Sequence, residues 1–140
     1  MSDAFVAYIR HGEKVLLMQR ADEVADFPGA WDGVYGVGDS DDLDSVAARI
    51  SETTGIGAES LTFVRSGDAR GLEFGNRLND VTPLLFLSDS ETVEARGLYK
   101  NFSWVDPGYI NWVEPEDTSD SRSSRYMVPQ LGNMYGDVAS

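Results

Sequence analysis

The chain contains no cysteine. That absence excludes disulfides, thiolate metal sites and a cysteine nucleophile, and it leaves the redox compartment unmarked. Lysine is almost as scarce: Lys14 and Lys100 stand against nine arginines. His11 is the one histidine, and no serine sits in a nucleophile motif, so no Ser-His-Asp arrangement is offered. No apolar run approaches the ~20 residues of a membrane span. Val15-Leu16-Leu17-Met18 and Pro83-Leu84-Leu85-Phe86-Leu87 have the length of core strands. The N-terminus has no basic start followed by an apolar block, so no secretory signal is expected and the expected location is the cytoplasm.

Acidic residues are what the chain has in excess. There are 24 acids against 11 bases, a net charge of -13, with 15 aspartates and 9 glutamates scattered along the chain. One reading is a binder of basic partners. The favoured reading is adaptation to a very salty cytoplasm, where self-repulsion is screened and an acidic surface keeps the protein soluble. In this the composition resembles proteins of salt-accumulating halophiles. A surface that attracts nucleic-acid phosphates is not expected on this charge, and no membrane partner is expected. The 140 residues, 41% hydrophobic and 11% aromatic, are expected to form one domain over residues 1–140 with a real core.

Periodicity places the elements. Ala4 to Arg10 and Lys14 to Arg20 read as a hairpin, the second strand apolar on both faces. Asp22 to Asp32 reads as a loop and Gly33 to Gly38 as a short, partly extended, glycine-rich stretch. Leu43, Val46, Ala47, Ile50 and Thr54 recur at helical spacing over Asp42 to Thr54. Asp39, Ser40, Asp41 and Asp42 supply candidate N-caps, and Gly55 stands where a left-handed C-cap belongs. Leu61 to Ser66, Val81 to Asp89 and Asn101 to Val105 read as strands, and Gly71 to Asp80 is ambiguous. Pro115 to Arg125 reads as a polar loop and Val128 to Val138 as a closing helix, with Pro129 in its first turn. Strands followed by helices in this order suggest mixed α+β layers.

The segment from Gly33 to Ile56, GVYGVGDSDDLDSVAARISETTGI, resembles the Nudix box. That pattern runs glycine, five residues, glutamate, seven residues, Arg-Glu-aliphatic-x-Glu-Glu, one residue, glycine, aliphatic. Its ending is matched by Ile50, Glu52, Thr54, Gly55 and Ile56. The flanks VLLMQRADEV and FPGAWDG, then TPLLFLSDS, FSWVDPGYI and VPQLGNMYGDVA, follow the order of strands and closing helix in the family. The resemblance implies an α/β/α sandwich of Nudix type, a mixed sheet with the box helix on one face and the C-terminal helix on the other. It also implies hydrolysis of a nucleoside diphosphate linked to another group, with Mg²⁺ or Mn²⁺ held by box glutamates on one helix face. A glycine-rich loop would let backbone approach the phosphates.

Position by position, the box is stripped of most of its carboxylates. Ala48 stands at the arginine, Arg49 at the first glutamate, Glu52 at the second, Thr53 at the third and Ser40 at the upstream glutamate. Glu52 is the single residue on which metal binding and catalysis would rest. Arg20, Gly36, Gly38 and Arg49 are the expected contacts to phosphate or substrate. Two readings follow. Arg49 and Glu52, three apart on one face, pair and leave a non-catalytic binder of a nucleotide or diphosphate-type ligand or of a partner, and this reading is preferred. In the other, Asp39, Asp41, Asp42 or Asp44, with Glu52 and a later acid such as Glu73 or Asp80, rebuild a divalent site in an active Mg²⁺-dependent pyrophosphohydrolase. Helix capping explains those aspartates without a metal. Phe27, Trp31 and Tyr35 could stack on a base or anchor their loop. A homodimer is kept as a further arrangement.

Overall fold

A computed structural model describes residues 4–23, 29–74, 77–106, 134, 135 and 138, with the backbone alone for 72–79. Strands β1 (Ala4–His11) and β2 (Lys14–Arg20) form the hairpin expected from sequence. They touch only at the turn, pairing Arg10 with Val15 and His11 with Lys14. Beyond it they diverge. The chain of β3 (Trp31–Asp32) and β4 (Val34–Val37) fills the fork, β3 against β2 and β4 against β1. This wedge carries the loop that leads into the helix.

The helix α1 (Leu43–Thr54) begins at Asp42, whose carboxylate accepts both the backbone N–H and the hydroxyl of Ser45. Those bonds satisfy an orphan donor of the first turn and hold the Asp42 carboxyl below its ordinary pKa. Gly55 closes the helix with φ 77°, its N–H bonded to the Ser51 carbonyl. The last carbonyls find donors in a later segment: Glu94 N–H to Thr54 and Arg96 N–H to Thr53.

Strands β5 (Leu61–Ser66), β6 (Arg70–Phe74), β7 (Arg77–Ser88) and β8 (Tyr99–Val105) complete one eight-stranded mixed sheet. Strand β7 runs parallel to β1 over Ala4 to Arg10, and β8 runs antiparallel to β2. The ambiguous Gly71 to Asp80 stretch is a hairpin of β6 with the start of β7.

Alternation on β1 divides the core. Ala4, Val6 and Tyr8 pack with Val15, Leu17, Leu85, Met134, Tyr135 and Val138. Phe5, Ala7 and Ile9 pack with Leu16, Met18, Leu84, Phe86 and the α1 residues Val46 and Ile50. Two buried faces require a cover on each side. Helix α1 is one cover, and helical Met134 and Tyr135 belong to the other. Val15 to Met18 are all buried, as their apolar run predicts. The rest of the expected closing helix, the loop from Pro115 to Arg125 and Phe27 lie outside the described residues. Among the described residues no helix is long and apolar enough to cross a membrane.

Candidate functional site

A cavity of about 270 Å³ lies between the β4–α1 loop and one face of the helix. Its walls are Val37, Gly38 and Asp39 of the loop and Ser45, Val46, Ala48, Arg49 and Glu52 of α1, with Phe5 of β1 as apolar floor. Residues 45, 48, 49 and 52 share the space because positions three and four apart stack on one helix face. Ala48 contributes only a methyl to the wall, where the family pattern has an arginine.

The glycines divide the work differently from expectation. Gly36 is buried and does not line the cavity. A Cβ on it would stand 2.5 Å from Phe5 Cζ and 3.2 Å from Arg49 Cγ. Its missing side chain therefore admits the Phe5 ring and the Arg49 stem. Gly38 does line the cavity, with φ 141° and open space where a Cβ would go. That φ is one L side chains avoid, so the turn needs glycine.

Three charged groups face the cavity. Asp39 Oδ1 accepts the Asp41 N–H at 2.9 Å. The Arg49 guanidinium and the Glu52 carboxylate have no ion-pair partner among the described residues, and they do not pair with each other. The Arg49–Glu52 pair expected from spacing is thus not formed. Asp41 is exposed and off the wall, Asp42 is spent as the cap, and Asp44 and Asp80 are exposed elsewhere. The Glu73 side chain lies outside the described residues. Thr53 is buried, its hydroxyl donating to the carbonyls of Arg49 and Ile50.

These residues do not fit a resident Mg²⁺ or Mn²⁺. Such ions are held by oxygen donors, and the cavity presents two carboxylates together with a fixed positive charge. Among the described residues no three acidic or histidine side chains converge as metal ligands would.

Arg20, expected as a contact to phosphate or substrate, is not on the wall of this cavity. Its guanidinium is buried, donating to Asp32 Oδ2 through Nε at 3.2 Å and Nη2 at 2.8 Å, and it lies 5.4 Å over the Tyr35 ring. Burial opposes the Arg20 charge, but Asp32, Tyr99 and Tyr35 together outweigh it and raise its pKa. Burial pushes the Asp32 carboxyl up to about 6, with Arg20 opposing the rise. Asp32 Oδ1 has no hydrogen-bond partner among the described residues. The nearby Tyr99 hydroxyl donates to the Gly33 carbonyl at 3.0 Å and accepts the Tyr35 N–H at 2.8 Å. Its one proton is committed, and burial and Asp32 raise its pKa well above the ordinary value. This cluster anchors the wedge from which Val37, Gly38 and Asp39 project.

The fold recurs in solved structures. The MutT protein from Methanosarcina mazei Go1 matches with a TM-score of 0.63 at 22% identity, over 79% of this chain and 80% of that one. An Ap4A hydrolase from C. elegans matches at 0.66 and 16%, over 99% and 96%. The NUDIX domain of Shewanella oneidensis NrtR, complexed with ADP ribose, matches at 0.58 and 13%, over 98% and 87%.

The fold is the Nudix fold. No family model matches the sequence, and no curated protein matches it. Within this Nudix fold, sequence spacing singled out Arg49, Glu52, Gly38 and Asp39, and all four line the cavity. It missed Phe5, Val37 and Ser45. Ser45 was detectable, four residues before Arg49 on the same helix face. Phe5 was not, because strand pairing between β1 and β4 puts it there.

Proposed function

We propose that this chain is a Nudix-superfamily protein that binds a nucleotide or diphosphate-type ligand in the cavity beside α1, with little or no hydrolysis. The observation that carries this reading is the charge set of the cavity. One arginine and two carboxylates face it, where hydrolysis through a divalent ion needs a converging set of acids. Arg49 puts a cation at the position the family pattern gives to a glutamate. The cavity is floored by buried Phe5 and Val46 and bordered by the Gly38 turn. A polar cleft on an apolar floor is what a small ligand requires. A Nudix domain complexed with ADP ribose is among the similar structures, which is consistent with a ligand of this class.

The test is a screen in molar KCl. Nucleoside triphosphates, dinucleoside polyphosphates and sugar nucleotides are assayed for phosphate release with Mg²⁺ and Mn²⁺, and for thermal stabilisation. The expected result is a raised melting temperature with some of these ligands and no turnover. Turnover that disappears in Glu52→Gln defeats the binder reading in favour of a Mg²⁺-dependent hydrolase.

A further inference from the structure

We infer that the cavity recognises a phosphorylated sugar without a divalent cation, one phosphate group pairing with Arg49 and sugar hydroxyls donating to Glu52 and Asp39. This rests on the reading that the cavity takes a nucleotide-type ligand, and it specifies which part of the ligand is held and by what.

The charges decide the chemistry. A guanidinium presents N–H donors in a planar fork that matches phosphate oxygens. Arg49 is exposed, lines the cavity and has no ion-pair partner among the described residues, so its fork is available. Ionised carboxylates only accept hydrogen bonds. Glu52 and Asp39 therefore repel phosphate oxygens and attract hydroxyls. A diphosphate wholly inside the cavity would set two anionic groups against one cation and two anions. A single phosphate on Arg49 leaves the two carboxylates for the neutral O–H groups of the adjoining sugar.

Size and walls agree. About 270 Å³ lies just below the ~300–1,000 Å³ of drug-sized sites, enough for a phosphosugar but not for a whole dinucleotide. The Arg49 stem is seated over Gly36 beside the Phe5 ring, which limits the positions its head can take. Val37, 68% exposed at the rim, offers an apolar surface for whatever extends beyond the sugar.

The experiment is isothermal titration calorimetry with EDTA present, at the lowest KCl concentration that keeps the chain folded by circular dichroism. Ribose 5-phosphate, ADP and inorganic pyrophosphate are the probes, against wild type, Arg49→Gln and Glu52→Gln. Ribose 5-phosphate and ADP are expected to bind without metal, and pyrophosphate to bind more weakly. Arg49→Gln should weaken all three by about tenfold or more. Glu52→Gln should weaken ribose 5-phosphate and strengthen pyrophosphate, a reversal that a merely structural role cannot give. Binding that needs Mg²⁺ or Mn²⁺, an Arg49→Gln chain that binds normally, or a Glu52→Gln chain that weakens both probes overturns this inference and leaves the nucleotide reading standing. No binding of any probe, with or without metal, overturns both.

Discussion

Arg20 and Asp32 form an ion pair with Nη2 2.8 Å from Oδ2, and both side chains are buried, at 4% and 0% exposure. The pair ties the end of β2 to the start of the wedge strand that leads to the cavity loop. Removing one partner takes the counter-charge from the other, which stays buried. Asp32→Leu is expected to destabilise the chain by about 3–5 kcal/mol, and Arg20→Met with Asp32→Leu by clearly less. Chemical denaturation in molar KCl measures both. A double variant no more stable than the single one refutes the pairing as the cause.

The same pair predicts a pH dependence. Asp32 has a folded pKa of about 6 against an ordinary 3.8. Between those values the folded chain keeps a proton that the unfolded chain has released. The contribution of Asp32 to stability therefore rises as pH falls from about 6 towards 4, and it is lost as pH climbs through 6. Its size is on the order of 3 kcal/mol. Asp32→Asn should flatten the stability profile in this window. Carbon-detected NMR should find the Asp32 carboxyl titrating near pH 6, and a midpoint at or below 4 would contradict it.

Gly36→Ala should destabilise through contact. The added methyl meets the far end of the buried Phe5 ring, 2.5 Å from its Cζ. Overpacking of this kind costs about 1–3 kcal/mol. Phe5→Leu, made in the Gly36→Ala background, should recover part of the loss by thermal melting. If it recovers nothing, steric contact is not the reason for this glycine.

The acidic surface predicts a salt response. With a net charge of -13, self-repulsion is strong at low ionic strength and screened at about 1 M salt, where the Debye length is ~3 Å. The melting temperature should fall steadily as KCl is lowered from molar to about 10 mM. A melting temperature that does not change over that range would remove the halophilic reading of the composition.

Local physics made much of the molecule legible. Period-2 and period-3.6 patterns set β1, β2, β5, β8 and α1, and Asp42 and Gly55 marked the helix ends because caps depend only on neighbouring residues. Fixed spacing put Arg49 and Glu52 on one helix face. The β6–β7 hairpin was ambiguous, since its pattern names no partner strand until β7 has docked on β1.

What the residues determined alone was therefore the helix and its register. What only tertiary structure decided was where the charges ended. Arg20 pairs with Asp32 because the hairpin splays and admits a wedge between its strands, and burial then requires a counter-charge. Arg49 and Glu52, three apart, do not pair, and the Arg49 stem lies against Gly36. Spacing along a helix says which side chains can meet. Which of them do meet is set by the groups that long-range pairing brings against them.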